Sequence, residues 1–414
     1  MQSVDEVQQT RADLTGAGFI ATLTLAYIGA FIAFVPLLTL LIPLQAAVLA
    51  PGDKIGLLSL VTLWGAVTAS LANLASGWAS DRTRSRFGRR RPWILGGLVG
   101  ILLAYAAIEA ASSPRGLVVG IMGFQLAFNL MFAPLHAVFA DRVPDDQKGR
   151  VAAFIGLAAP IGAASGVLIA TPLFPSPSAR LIALGILVSA CVLPLLLTWR
   201  EGPRLHSAVK APRAPSAPGR LSTDFGFVWA SRFCFQISAS VVGAYMLFYL
   251  ADYARYADRF PGATVESGLA RLIAVSTVLT LVAGFAGGLL SDRLGQRKPF
   301  ILGAGGLLAS GLLVFAVWPQ WPGPLVGYVL YGLGFGLYTT VDTALVAQIL
   351  PSRQNTARDL GVMNLTNTLP AILAPVLAIV ALGPTRSDWS TLMIASAAIA
   401  LIGGGVVYGV RRTR

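Results

Sequence analysis

The sequence predicts an all-α polytopic membrane protein, with twelve transmembrane helices in two pseudo-symmetric six-helix bundles. Composition points there first: 55% of residues are hydrophobic and 12% charged. With a mean hydropathy of +0.72, an ordinary soluble domain is excluded. The second observation is a succession of apolar runs, each of roughly 18 residues or more and long enough to cross ~30 Å of hydrocarbon as a helix. The third is an internal repeat that keeps register across half the chain.

The repeat is carried by two charged segments. One reads Gly77-Trp-Ala-Ser-Asp81-Arg82 and continues to Phe87-Gly88-Arg89-Arg90-Arg91-Pro92. The other reads Gly288-Leu-Leu-Ser-Asp292-Arg293 and continues to Gly295-Gln-Arg297-Lys298-Pro299. Gly88 and Gly295, Pro92 and Pro299, and Pro144 and Pro351 each stand 207 residues apart. Chance matches do not hold one offset over three landmarks, so the chain is a duplication. Two homologous membrane halves imply the architecture of a secondary transporter.

In order, the spans fall near 18–42, 56–79, 93–111, 117–140, 150–171 and 180–199 in the first half. Those of the second fall near 225–251, 269–290, 299–317, 323–350, 360–382 and 388–410. Residues 1–15 are polar and the first apolar run is too long for the core of a cleaved signal, so the first span is expected to be retained. Cys191 and Cys234 fall inside spans six and seven and read as small apolar packing groups. The longest polar break, 200–222, carries Pro203, Pro212, Pro215 and Pro218 among basic residues. It predicts halves of 1–199 and 224–414 joined by a flexible cytoplasmic linker over 200–223. The outer connections are short, the largest lying near 252–268. Trp318, Trp321 and Tyr328 cluster where spans nine and ten meet the outer interface, as amphipathic rings do.

The net charge of +13 is explained by where the charges sit. With the amino terminus inside, 23 Lys and Arg fall in cytoplasmic segments and seven in outer ones. This is the asymmetry of the positive-inside rule, and it predicts both termini on the cytoplasmic side of the cytoplasmic membrane. No basic stretch is interleaved with stacking aromatics, so a nucleic-acid partner is not expected. No metal-ligand cluster can be assembled from two histidines. Neither a nucleophile–base pair nor a phosphate loop is present, which argues against an enzyme. No cofactor is expected; the partners are a small-molecule substrate and the bilayer, and the chain is expected to work as a monomer.

The Gly-xxx-Asp-Arg…Gly-Arg-Arg loop between spans two and three resembles the signature loop of the major facilitator superfamily, and its second copy lies between spans eight and nine. The longer form from Ser80 to Pro92 is most similar to one branch. That branch comprises plant sucrose/proton symporters, their animal relatives, and bacterial glycoside–pentoside–hexuronide cation symporters. Asp359-Leu-Gly-Val-Met-Asn364-Leu-Thr-Asn367-Thr-Leu-Pro370 in span eleven and Phe139-Ala-Asp141 at the end of span four resemble the same branch. Where the plant members carry an acidic residue and an arginine in span four, this sequence has Gln125 and His136. The resemblance implies the major facilitator fold and a gating role for the duplicated loops: Gly77, Asp81, Arg82, Gly88, Arg89 and Arg90 in the first, Gly288, Asp292 and Arg293 in the second. Gly77 and Gly288 are expected to let the backbone pass close to a neighbouring helix. Asp81 and Asp292 are expected to meet a helix amino terminus, a favourable place for a carboxylate; the alternative is ordinary loop charges that set topology.

Charges inside spans are costly and are functional candidates by default. Arg232 lies about eight residues into span seven and Asp342 about eight before the end of span ten, so both sit roughly 12 Å from the same membrane face. Spans one, four, seven and ten line the central cavity in the resembled superfamily, which lets the two face each other. Asp342 is then the proton-coupling candidate, and a static ion pair joining two helices is the alternative. His136 has an unperturbed pKa of about 6.5, within physiological range, and is either a proton or ligand site or a satisfied hydrogen-bonding residue. Tyr27, Gln125, Asn129, Gln236, Tyr245, Asn364 and Asn367 offer the amides, hydroxyls and rings that a sugar needs. Asn364 and Asn367 share a helix face. The same groups also serve interhelical hydrogen bonding.

The expected activity is proton-coupled symport of a small sugar or glycoside by alternating access, with sodium as the alternative coupling ion. Efflux of a drug or metabolite by proton antiport is the competing transport reading, and a non-transporting membrane sensor the reading from another class. Specificity lives in a few side chains on a shared scaffold, so the substrate is not named by this sequence.

Overall fold

The computed structural model describes residues 16–83, 85, 87–143, 147–171, 173–199, 223–349 and 356–411; the expected linker at 200–222 lies outside them. The helices in chain order are α1 (Ala17–Leu49), α2 (Lys54–Arg82), α3 (Arg91–Glu109), α4 (Pro114–Arg142), α5 (Lys148–Ile155), α6 (Ala158–Ile169) and α7 (Pro177–Thr198). They continue with α8 (Thr223–Tyr253), α9 (Val265–Leu294), α10 (Lys298–Val317), α11 (Gly323–Ile349), α12 (Thr356–Leu382) and α13 (Trp389–Val406). Eleven helices among the described residues are long and apolar enough to cross a membrane. The expected fifth span is the departure: it is two helices, α5 and α6, separated at Gly156-Leu157. Pro160 has no N–H to offer the Gly156 carbonyl, so the α-helical ladder cannot run through. The chain instead turns tightly, with the Leu157 N–H on the Phe154 carbonyl at 3.1 Å.

The chain divides into two compact units, Met1–Pro51 with Trp64–Arg204, and Gly52–Leu63 with Leu205–Arg414. In the first, α1 packs on α6 and α7 while α3 packs on α4 and α7. In the second, α8 packs on α12 and α13 while α10 packs on α11 and α13. The same helix pairs recur six spans later, so the duplication extends to packing. Residues 52–63, the start of α2, belong to the second unit, which differs from the sequence-based division. Three contacts hold them there: Lys54 Nζ to Asp252 at 2.6 Å, Arg386 to Asp53 at 3.7 Å, and the Ser59 and Tyr245 hydroxyls at 2.6 Å.

Both α1 and α8, the first helix of each half, contain a π-turn away from the basic loops. In α1 it covers Leu37–Leu41, and in α8 Tyr249–Tyr253. Ile42 and Ala254 close them by donating five residues back, to Leu37 and Tyr249. In α8 the wider turn aims two tyrosines at the end of α10. Tyr249 donates to the Phe315 carbonyl at 2.7 Å, and Tyr253 to the Ala316 carbonyl at 3.3 Å. These hydroxyls satisfy carbonyls at a helix end, where no intrahelical partner remains.

Helix starts follow local chemistry. Ser113, Ser176, Thr264 and Asp388 accept backbone N–H groups in the first turns of α4, α7, α9 and α13. The Asp388 carboxylate accepts both the N–H and the hydroxyl of Thr391, which holds its pKa below the usual carboxylate value. Pro92 and Pro299 occupy the first turns of α3 and α10, where a missing N–H costs nothing. In the second unit α9 packs closely against α11, where glycines remove the side chains that would collide. A Cβ at Gly336 would lie 2.1 Å from the Thr280 carbonyl oxygen, and one at Gly332 2.7 Å from that of Ser276. Small residues allow such approach in lipid. Gly336→Ala is therefore expected to lower the thermal stability of the purified protein by about 1–3 kcal/mol. Gly303→Ala, at a position surrounded by open space, is the control expected to leave it unchanged; equal melting curves would contradict the packing.

Candidate functional site

At the basic end of the first unit the duplicated loop closes a charge network. After α2 ends at Arg82, the chain reverses through Gly88, whose φ of 97° lies in the left-handed region that favours glycine. Arg90 then caps the start of α3 and points back. Arg90 Nη2 lies 3.6 Å from Asp81 and 2.5 Å from Asp141 at the end of α4. Arg89 lies 3.8 Å from Asp81 and 3.0 Å from Asp141. Arg90 is buried, while the carboxylate side chains are 61% and 50% exposed. Arg82 stands apart, its guanidinium 3.9 Å from the centre of the exposed Trp78 ring.

The second loop repeats the core of this arrangement. Gly295 turns with φ of 62°, Arg297 occupies the cap position of α10, and its guanidinium pairs with Asp292. Arg297 also donates to the buried Ser291 hydroxyl at 3.0 Å, and that hydroxyl donates to the Gln296 carbonyl at 2.6 Å. Arg90 and Arg297 are 207 residues apart, the repeat offset, and each pairs with the acid of the preceding helix, Asp81 or Asp292, which stand 211 apart. Arg293, expected in the motif, is exposed. Within its own unit each acid is taken up by guanidinium groups rather than by the backbone N–H groups of a helix start, because a charged fork reaches it first. Of the two motif glycines, Gly288 is pressed against α11, where a Cβ would come within 2.8 Å of Thr340. Around Gly77 the described residues leave that space open, so the expected close approach is absent there.

Inside the first unit, Tyr27 and His136 are neighbours, with ring centres 5.1 Å apart. His136 ends an aromatic ladder on α4, whose members Phe124, Phe128 and Phe132 recur every fourth residue. Phe31 and Phe34 of α1 pack against it. Asn129 is fully engaged: it donates to the Gln125 carbonyl at 2.8 Å and accepts from Asn73 at 3.0 Å. Gln125 is buried, and its side-chain oxygen has no hydrogen-bond partner among the described residues.

Inside the second unit, Arg232 Nη1 of α8 lies 2.8 Å from Asp342 Oδ2 of α11. The side chains are 23% and 5% exposed. Arg232 Nε is buried without a partner among the described residues. One turn on, Gln236 donates to Asn367 of α12 at 3.0 Å. Phe235 stacks on Tyr338 of α11 with ring centres 4.0 Å apart. Tyr245 lies further along α8, fully buried and bonded to Ser59, apart from the Arg232 cluster. The side chain of Asn364 lies outside the described residues.

Two units of matching packing, each with a charged loop, and many helices long and apolar enough to cross a membrane make this a polytopic membrane protein built by duplication. The family model of the Major Facilitator Superfamily matches residues 17–270 and again 228–414, and the chain belongs to that family. It is 30% identical over 181 residues to an uncharacterized symporter, sll1374, of Synechocystis, across 39% of this chain and 33% of that one. It is 29% identical over 106 residues to the sucrose transport protein SUC4 of Arabidopsis thaliana, across 22% of this chain and 21% of that one. The chain thus spans a third or less of the curated relatives it matches. Among solved structures, a mutant of the peptide transporter POT superposes with a TM-score of 0.73 at 12% identity, covering 97% of this chain and 96% of that one.

Sequence reasoning missed Arg297, which the repeat offset from Arg90 points to, and the α4 aromatic ladder, visible as a four-residue spacing. The network predicts an order of stabilities. Arg90→Ala removes the buried one of the two guanidinium groups that Asp81 and Asp141 share and is expected to cost about 1–2 kcal/mol in thermal unfolding. Arg82→Ala, on an exposed ring, is expected to cost less than about 0.5 kcal/mol. Equal effects would dismantle the network as described.

Proposed function

We propose that this chain is a proton-coupled symporter of a small sugar or glycoside, working by alternating access in the cytoplasmic membrane with its basic loops and both termini inside. The observation that carries the reading is the Arg232–Asp342 pair, set beside the Gln236–Asn367 amides. Arg232 and Gln236 stand four residues apart and share one face of α8. That face therefore offers a protonatable carboxylate, a guanidinium with an unmet donor, and amides suited to sugar hydroxyls. Protonation of Asp342 releases Arg232 from its counter-charge, which couples proton binding to a change at the neighbouring amides. The stretches shared with a symporter and a sucrose transport protein support the same reading. At the basic end, Asp81–Arg90 and Asp292–Arg297 act as latches that hold one side closed. A second reading, export of a less polar solute, is favoured by the aromatic ladder of α4.

Uptake of a panel of radiolabelled sugars into proteoliposomes, with and without an inward proton or sodium gradient, tests the function. Gradient-driven accumulation of at least one sugar is expected, and accumulation of none would reject it. In that assay Arg232→Ala or Asp342→Ala alone leaves a buried charge uncompensated, at a cost of up to about 3–5 kcal/mol. Each single variant is expected to be worse folded than the double variant. The double variant is expected to retain exchange but lose proton-driven accumulation. Additive losses would mean that the two residues do not interact.

A further inference from the structure

The flank of the first unit carries a groove of about 590 Å³ between α3 and α7. Its floor is the ring of Tyr105, whose hydroxyl is turned inward to the Ala33 carbonyl at 2.9 Å. Depth comes from Gly185, where even a Cβ would lie 3.0 Å from Leu102. Ser189 closes the lower end and spends its hydroxyl on the Gly185 carbonyl at 2.7 Å. From Ser178 to Ser189 the groove follows α7 for about 16 Å at 1.5 Å per residue, close to one leaflet of a ~30 Å hydrocarbon core. The mouth, at the end of α3 away from the basic loop, is polar. There Glu109 accepts a hydrogen bond from Ser178. That is its one hydrogen bond among the described residues, and it has no ion pair there.

We propose that this groove binds one acyl chain of a phospholipid whose headgroup carries a primary ammonium, with the ammonium on Glu109. An apolar channel one leaflet long, rimmed by the exposed Leu102, Ile182 and Ile186, fits an extended hydrocarbon chain. A carboxylate at its mouth repels a headgroup that is only anionic. A primary ammonium offers it N–H donors and charge together, which a quaternary ammonium cannot.

Native mass spectrometry of the full chain in mild detergent, with equimolar dioleoyl phosphatidylethanolamine, phosphatidylcholine and phosphatidylglycerol, tests the proposal. Ethanolamine-lipid adducts are expected to exceed choline-lipid adducts at least about five-fold. Glu109→Gln is expected to bring that ratio near one while adducts persist. Gly185→Leu, which fills the floor, is expected to abolish the preferred adduct. Ala106→Trp is expected to do the same from the exposed wall of α3, and it carries the test should Gly185→Leu not fold. Unchanged adducts in Glu109→Gln and Ala106→Trp would overturn the proposal, as would preference for the glycerol lipid. A dimer that Ala106→Trp converts to monomer would overturn it too, because the groove would then hold a second copy of the chain.

Discussion

A charge carried into hydrocarbon must be met inside the protein, and this constraint arranges everything else in the molecule. Almost all charge is held at the ends of helices, where water and headgroups share the cost. Among the described residues Arg232 and Asp342 are the exception, and they meet at 2.8 Å between α8 and α11. A pair of this kind contributes little net stability compared with an apolar substitute, but losing one member is expensive. This asymmetry is what makes the pair the natural carrier of the proposed proton coupling.

Duplication supplies the frame, and the two halves differ on it in particular side chains. Both loops use a left-handed glycine, a capping arginine and an acid from the preceding helix to reverse the chain. Only the first recruits a further acid: 207 residues after Asp141 stands Gln348. Among the described residues the first network joins Arg89 and Arg90 to acids from two helices, while Arg297 in the second pairs with the acid of its own loop. The interiors differ as well, with an aromatic ladder ending in His136 on one side and an ion pair with amides on the other. The side chains buried in the two interiors are therefore unlike, while turning and capping are common to both.

Much of this was legible in the sequence because it rests on hydropathy and register. Eleven of the spans appear as long apolar helices, and the depth argument for Arg232 and Asp342 needed only the helical rise. Other features rest on backbone hydrogen bonding, which hydropathy does not encode. The break at Gly156-Leu157 follows from a missing donor at Pro160 inside an unbroken apolar run. The π-turns of α1 and α8 leave no compositional trace beyond Pro36 and Pro43. The transfer of residues 52–63 to the second unit depends on single partners, Tyr245, Asp252 and Arg386, far along the chain. Groove depth at Gly185 depends on which face of α7 meets α3, and periodicity alone does not decide that.

The central claim is that Asp342 carries the coupled proton. It is tested most directly by recording the external pH of a lightly buffered proteoliposome suspension when a transported sugar is added without an imposed gradient. The account predicts alkalinisation on sugar entry with the unmodified chain. With Asp342→Asn it predicts no pH change, while sugar counterflow continues. Sugar-dependent alkalinisation persisting in Asp342→Asn would contradict it and return the Arg232–Asp342 pair to a structural role.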